Sequence, residues 1–145
     1  MGAIESLLNL KRWGEDEAKQ KFALVLKELD VEEKLLLGLE EEYMLAARKF
    51  EYASNELIDI AEIKRLNYYL EHVLARIRRQ KKVIELKELQ VETARKELQE
   101  ASKEKKTFEK LDEKQKSALS REFKRKEQIG TDGHAGIRHA RRTKE

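Results

Sequence analysis

The 145-residue sequence contains no cysteine and no proline, and aromatic residues make up only 6% of it. The absence of cysteine excludes disulfides, zinc–thiolate sites and cysteine nucleophiles, and it fits a reducing compartment. Because proline breaks helix interiors, its absence permits long helices. Glycine is also missing from Glu40 to Ile129. A stretch of this length without a strong helix breaker predicts uninterrupted helix.

Long apolar runs are also lacking. The longest, among them Phe22 to Leu26, are far shorter than the roughly 20 residues that a membrane-spanning helix needs. The N-terminus has neither the basic start nor the apolar core of a signal peptide. With 42% charged residues, the chain can cover a thin core but cannot fill a broad one. These features predict a soluble, cytoplasmic protein.

What is present is a seven-residue apolar repeat in the first part of the chain. A spacing of seven, with a second set offset by three, is the seam of a coiled coil, whereas a strand would require alternation. The first set is Phe22, Leu29, Leu36, Tyr43, Phe50 and Leu57. The second set is Val25, Leu39, Ala46, Ala53 and Ile60, and it is interrupted only by Glu32.

A second arm carries its own seam and can pair with the first. Its apolar positions are Leu66, Leu70, Val73, Ile77, Ile84, Val91, Ala94, Leu98, Ala101 and Phe108. Polar residues occupy seam positions at Gln80, Lys87 and Lys105, where we expect looser packing. Residues 1–60 carry 8 basic and 14 acidic side chains, whereas residues 61–145 carry 24 and 15. This asymmetry favours antiparallel pairing of the two arms.

The predicted fold is all-α: an antiparallel two-helix coiled-coil hairpin with an overhanging second helix and a flexible C-terminal tail. The coiled coil covers residues 4–128, with a first helix at about 4–54, a turn at about 55–59 and a second helix at about 60–128. Asp59 and Glu62 resemble a capping box at the start of the second helix. The first arm is exhausted near residue 112, and the glycine-bearing residues 129–145 form the tail. A single uninterrupted helix that dimerises remains an alternative.

No set of residues in the sequence fits an active site. His72 is a lone histidine on a predicted helix, and Asp132, His134 and His139 could gather a metal but lie in a glycine-rich tail without preorganisation. The C-terminal glycines follow no strand, as a phosphate-binding loop would require. A two-helix hairpin also lacks a concavity that could exclude water. We therefore expect no enzymatic activity, no cofactor and no bound metal.

A basic cluster in the second arm could serve a different class of partner. It comprises Arg76, Arg78, Arg79, Lys81 and Lys82. Five cations this close would attract phosphates, so an RNA-binding arm is one alternative. The favoured interpretation is that the cluster balances Glu40, Glu41 and Glu42 of the first arm, because no aromatics for base stacking are interleaved with it. We therefore expect no nucleic-acid partner.

The ordered blocks of the sequence resemble the FliJ family, the coiled-coil stalk proteins of flagellar type III export. The matching segments run from one end of the chain to the other: Leu7 to Arg12, Glu15 to Ala23, Leu39 to Tyr43, Tyr68 to Leu70 with Ile77 and Gln80, Glu104 to Leu111, and Arg121, Arg125, Glu127, Gln128 and Asp132. The glycines after Gln128 depart from the family, in which the helix usually continues. The injectisome stalk proteins are related and form a further alternative.

The resemblance implies partners for both ends of the hairpin. The end that carries the termini would insert into the hexameric export ATPase, through Leu7, Leu8, Trp13, Phe22, Phe108, Leu111, Leu119, Phe123 and Glu127. The opposite end would approach the membrane export gate protein through Leu36, Leu39, Tyr43, Tyr69 and Val73. Full burial of Tyr43 between the arms would exclude its gate contact.

The resemblance further implies a mechanical role. The protein would promote assembly of the ATPase ring, couple the ring to the gate and escort export chaperones. It would act in flagellum biogenesis, and so in motility and chemotaxis, at the cytoplasmic face of the inner membrane, which it would reach through its partners.

Overall fold

The computed structural model of the chain consists of two α-helices that pack against each other as an antiparallel hairpin. Helix α1 spans Ala3–Glu56 and helix α2 spans Ile60–Lys144. The structure describes residues 2–56 and 59–144, with the side chains of 134, 135 and 137–144 outside the description. The fold class predicted from the heptads is therefore confirmed, and no strand occurs in the described residues.

The boundary between the helices lies within the predicted turn, of which residues 57 and 58 fall outside the described residues. Asp59 precedes α2, and its Oδ1 accepts a hydrogen bond of 3.1 Å from the Ala61 amide. This bond satisfies one of the amides that a helix start leaves unpaired. The reciprocal half of the capping box is absent among the described residues, because Glu62 pairs instead with Arg65 at 3.6 Å.

The chain forms two compact units, the larger of which comprises Asp16–Glu100. Its centre is a cluster of Leu39, Val73 and Ile77, against which the partly buried Leu36 and Tyr43 pack. Val25, Ala46, Ala53, Leu70, Ile84 and Ala94 continue the buried row. All of these residues are members of the two predicted seams.

Polar seam residues in this unit pair across the hairpin. Gln80 donates hydrogen bonds to the Glu32 backbone oxygen at 2.9 Å and to Glu32 Oε2 at 2.6 Å. The polar interruptions of the two seams therefore face each other. Lys87 donates a 2.9 Å hydrogen bond to Glu28 in the same manner. Because a polar residue in a seam is satisfied in only one alignment, these pairs specify the register of the two helices.

The other unit comprises Met1–Glu15 and Ala101–Glu145. Leu8 is buried in it, and Lys11 donates a 2.9 Å hydrogen bond to Glu104 while lying 5.6 Å from the centre of the Phe108 ring. Among the described side chains of α2, Asp112 is the last that is buried, and residues 113–133 are all exposed. The overhang predicted to begin near residue 112 is confirmed.

Helix α2 extends beyond its predicted end. The expected boundary was Gln128, but the helix continues to Lys144. A single glycine within a helix costs about 1 kcal/mol relative to alanine, whereas proline, which is absent, would remove a backbone donor. Gly14 and Gly38 likewise leave α1 unbroken. The flexibility predicted for residues 129–145 stays a prediction.

The Asp59 cap yields a testable stability effect. Asp59→Ala removes the acceptor of the Ala61 amide, and such cap losses typically cost about 1 kcal/mol. We expect the midpoint of urea unfolding, followed by circular dichroism, to fall accordingly. Asp16→Ala, which removes an exposed carboxylate from within α1, should change the free energy of unfolding by less than about 0.5 kcal/mol. Equal effects of the two substitutions would contradict a capping role for Asp59.

Candidate partner-binding surfaces

The residues predicted to contact the ATPase gather in one unit. All of them except Phe22 belong to the unit formed by Met1–Glu15 and Ala101–Glu145. Leu119, Phe123 and Glu127 lie in the overhang and are exposed. Leu7, Trp13 and Leu111 are also exposed, whereas Phe22 and Phe108 are half-buried. Leu8 is buried, so it supports this surface by packing.

A polar pair stabilises the helix contact beside this surface. Lys105 donates a 2.9 Å hydrogen bond to Glu15, whose side chain is buried. This hydrogen bond raises the pKa of the Lys105 ammonium above its ordinary value. The Lys105 ammonium is therefore charged at neutral pH, and its contribution to the pairing is lost as the pH rises through the raised pKa. Lys105 was predicted to loosen the seam, but it is instead bonded to the other helix.

The predicted gate residues differ widely in exposure. Val73 is 0% exposed and Leu39 is buried, so neither offers surface to a partner while the helices are packed together. Leu36 and Tyr43 are partly buried, and Tyr69 is exposed. Because Tyr43 is not fully buried, the condition that would have excluded its gate contact is not met.

Tyr69 belongs to a network that joins the two helices. Its hydroxyl donates a short hydrogen bond to Glu42 Oε1, and Arg76 Nη1 lies 3.6 Å from the same oxygen. The hydrogen bond to Glu42 raises the pKa of the Tyr69 phenol, and Arg76 opposes the shift. This network holds the Tyr69 ring at the rim of a groove of about 240 Å³.

A larger groove was missed by the sequence reasoning. It has a volume of about 470 Å³ and is lined by Arg48, Lys49, Tyr52, Ala53, Glu62 and Leu66. The sequence feature that could have indicated this groove is Tyr52, an aromatic residue that lies seven residues after Leu45 but outside the predicted seam. Periodicity could not indicate a groove at Tyr52 until the position of α2 was known.

The basic cluster of α2 is balanced only in part by α1. Arg76 approaches Glu42, but no ion pair in the described structure involves Arg78, Arg79, Lys81 or Lys82, which are exposed. The prediction that Glu40, Glu41 and Glu42 neutralise the cluster therefore holds for one contact. The RNA-binding alternative is untested by these contacts.

The described residues contain no group of acidic and histidine side chains that could hold a metal ion. The grooves are open and lined mainly by apolar and charged side chains. No described helix is apolar over a length that would cross a bilayer. These observations define a coiled-coil hairpin that displays exposed aromatic and aliphatic residues on a polar surface.

Comparison with known proteins assigns this hairpin to a family. The family model described as Flagellar FliJ protein matches residues 1–144. The chain belongs to the FliJ family, a component of the flagellar type III export apparatus. Neither the curated proteins nor the solved structures yielded a match.

The Tyr69 network predicts that the Tyr69 phenol ionises at a higher pH than an ordinary tyrosine. A raised pKa means that the hydrogen-bonded neutral phenol stabilises the fold below its ordinary pKa of 10.0, and that this contribution is lost as the pH rises through the raised value. In an ultraviolet titration of phenolate absorbance, we expect one late transition, which Tyr69→Phe removes. Glu42→Gln should shift it to lower pH, and Glu40→Gln should leave it unchanged. A titration unaffected by Glu42→Gln would contradict the proposed hydrogen bond.

Proposed function

We propose that this protein is the non-enzymatic stalk of the flagellar export apparatus, which binds the hexameric export ATPase and couples it to the membrane export gate. Membership of the FliJ family supports a place in that apparatus. The observation that carries the ATPase contact is the overhang, because residues 113–133 are exposed on every side and include Leu119 and Phe123. A single helix with free apolar residues suits insertion into a narrow pore.

The gate contact is proposed for the partly exposed residues Leu36, Tyr43 and Tyr69. Tyr69 is the strongest candidate, because its ring is exposed while its hydroxyl is held by Glu42. An aromatic side chain fixed in this way loses little conformational entropy on binding. Leu39 and Val73 contribute by holding α1 and α2 together beneath these residues.

The action we propose is mechanical. The stalk promotes assembly of the ATPase ring and transmits its nucleotide cycle to the gate. Escort of export chaperones is a further proposed role. The protein works at the cytoplasmic face of the inner membrane, which it reaches through the gate and the ATPase.

Reconstitution with purified export ATPase tests the proposal. We expect added stalk protein to increase ring formation, seen by mass photometry, and ATP turnover. Leu119→Ser with Phe123→Ser should weaken the apparent affinity in both assays by at least about tenfold, because buried apolar anchors dominate interface energy. Leu86→Ser with Leu89→Ser is the matched control, since these residues are similarly exposed in α2. No effect of the wild-type protein on either readout would overturn the proposal.

The gate contact requires a separate measurement. Binding to the purified soluble part of the gate protein should fall by about tenfold with Tyr69→Ala. It should change little with Tyr68→Ala, which removes an exposed neighbouring ring from another side of α2. Equal effects of these substitutions would contradict a specific role for Tyr69.

A further inference from the structure

Helix α1 carries a second seven-residue repeat that does not face α2. Its members are Leu24, Val31, Gly38, Leu45 and Tyr52, here called the outer row, and all are exposed. Leu35 lies beside the row and is exposed as well. None of these residues is among the proposed ATPase or gate contacts. The packing of α1 on α2 therefore leaves the outer row unexplained.

The spacing of the outer row indicates what could cover it. Because α1 already supercoils with α2, side chains seven apart stay on one side of α1 and form a continuous line along it. A single narrow row therefore suits a third helix that runs along α1. Gly38 lies at the middle of the row, and a Cβ added there would meet nothing within 4 Å. Its lack of a side chain allows close approach of another backbone.

Charges beside the outer row specify the chemistry of that helix. From residue 20 to residue 56, every basic residue of α1 lies three or four positions from a member of the row: Lys21, Lys27, Lys34, Arg48 and Lys49. Such positions are neighbours on a helix surface. Of the acids at the same spacing, Glu28 and Glu42 are bonded to α2, whereas Glu41 and Glu56 are exposed. Lys21 is bonded to Glu97 of α2, and Lys34 pairs with Asp30 of α1. Lys27, Arg48 and Lys49 therefore remain as the bordering cations for which the described structure shows no ion pair.

Two other occupants fit this pattern less well. Pairing of the outer rows of two copies would bring lysines and arginines of both chains together, which is unfavourable. A helix that lies on a lipid surface needs a broad apolar face, whereas this row contains Gly38 and has Leu35 as its one apolar neighbour at a spacing of three or four residues.

We propose that the outer row is a docking site for an acidic amphipathic helix of a partner protein. Apolar residues of that helix at heptad spacing pack on Leu24, Val31, Leu45 and Tyr52, and its acidic flanks pair with Lys27, Arg48 and Lys49. The groove beside Tyr52 extends the site onto Leu66 of α2. This interaction is additional to the proposed stalk function and does not depend on it.

Defined peptides test the proposal with the full-length protein. The probe is a fluorescent peptide of about four heptads with leucine at the seam positions and glutamate at the flanking positions. The control peptide keeps the leucines and replaces every glutamate with lysine. In fluorescence anisotropy, we expect the acidic peptide to bind at least about tenfold more tightly than the basic peptide. Added salt should weaken binding of the acidic peptide.

Matched variants locate the site on the helix. Val31→Gln with Leu45→Gln alters two row members that are 54% and 60% exposed. Leu37→Gln with Met44→Gln is the control, because these residues are 60% and 55% exposed but are rotated by about 100° around α1. The row variant should bind the acidic peptide about tenfold more weakly than the wild-type protein does, and the control variant less than about twofold more weakly. Circular dichroism and unfolding curves should show that both variants remain folded.

Several outcomes would overturn the proposal. Equal binding of the acidic and basic peptides would contradict the role of charge. Equal losses of peptide affinity in the two variants would contradict the assignment of the binding site to the outer row. Dimerisation of the chain that is abolished by Val31→Gln with Leu45→Gln would instead assign the row to a second copy. Binding to phosphatidylglycerol vesicles through the row, without binding of the acidic peptide, would assign it to a membrane surface. Each of these results is independent of the ATPase assay.

Discussion

The contact between α1 and α2 of the same chain is the constraint on which the other features depend. Each helix has only a narrow apolar edge, and a polar helix of this kind gains most of its stability from packing that edge. Val73 is fully buried against Leu39 and Ile77, and this cluster excludes water from the seam. Polar seam residues then restrict the alignment of the two helices, because Gln80 hydrogen-bonds to Glu32 and Lys87 to Glu28 in only one register. Hydrophobic burial thus stabilises the pairing of α1 with α2, and the polar pairs specify its register.

That register decides which residues remain for partners. Tyr69 is held at the surface because Glu42 faces it across the helix pair, and Val73, four residues later, is buried by the same alignment. In the other unit, Asp112 is the last buried residue among the described side chains of α2, and residues 113–133 form an exposed helix. The outer row is exposed for the same reason, since α2 already occupies the seam face of α1. The alignment of α1 and α2 therefore determines which apolar side chains stay exposed in each unit.

Much of this architecture could be predicted from the sequence. Heptads, the Asp59 cap and the absence of proline specify two helices, and the lengths of the arms place the overhang near residue 112. Burial of individual residues was less predictable. Tyr69 and Val73 are one helical turn apart, yet Val73 is buried in the seam and Tyr69 is exposed. The bonding of Lys105 to Glu15 depends on the reach of a long side chain, which spacing does not reveal. The outer row could be distinguished from the seam only once the position of α2 was known.

A distance measurement tests the central claim, that the two arms of one chain pair with each other. The chain has no cysteine, so Lys34→Cys with Arg79→Cys gives two unique sites for spin labels, near the Glu32–Gln80 pair. An uninterrupted helix would separate these sites by about 68 Å, from a rise of 1.5 Å per residue. Electron–electron double resonance should instead give a single distance less than half as long, unchanged on dilution with unlabelled protein. A separation near the extended value, or a short distance that disappears on dilution, would contradict the hairpin.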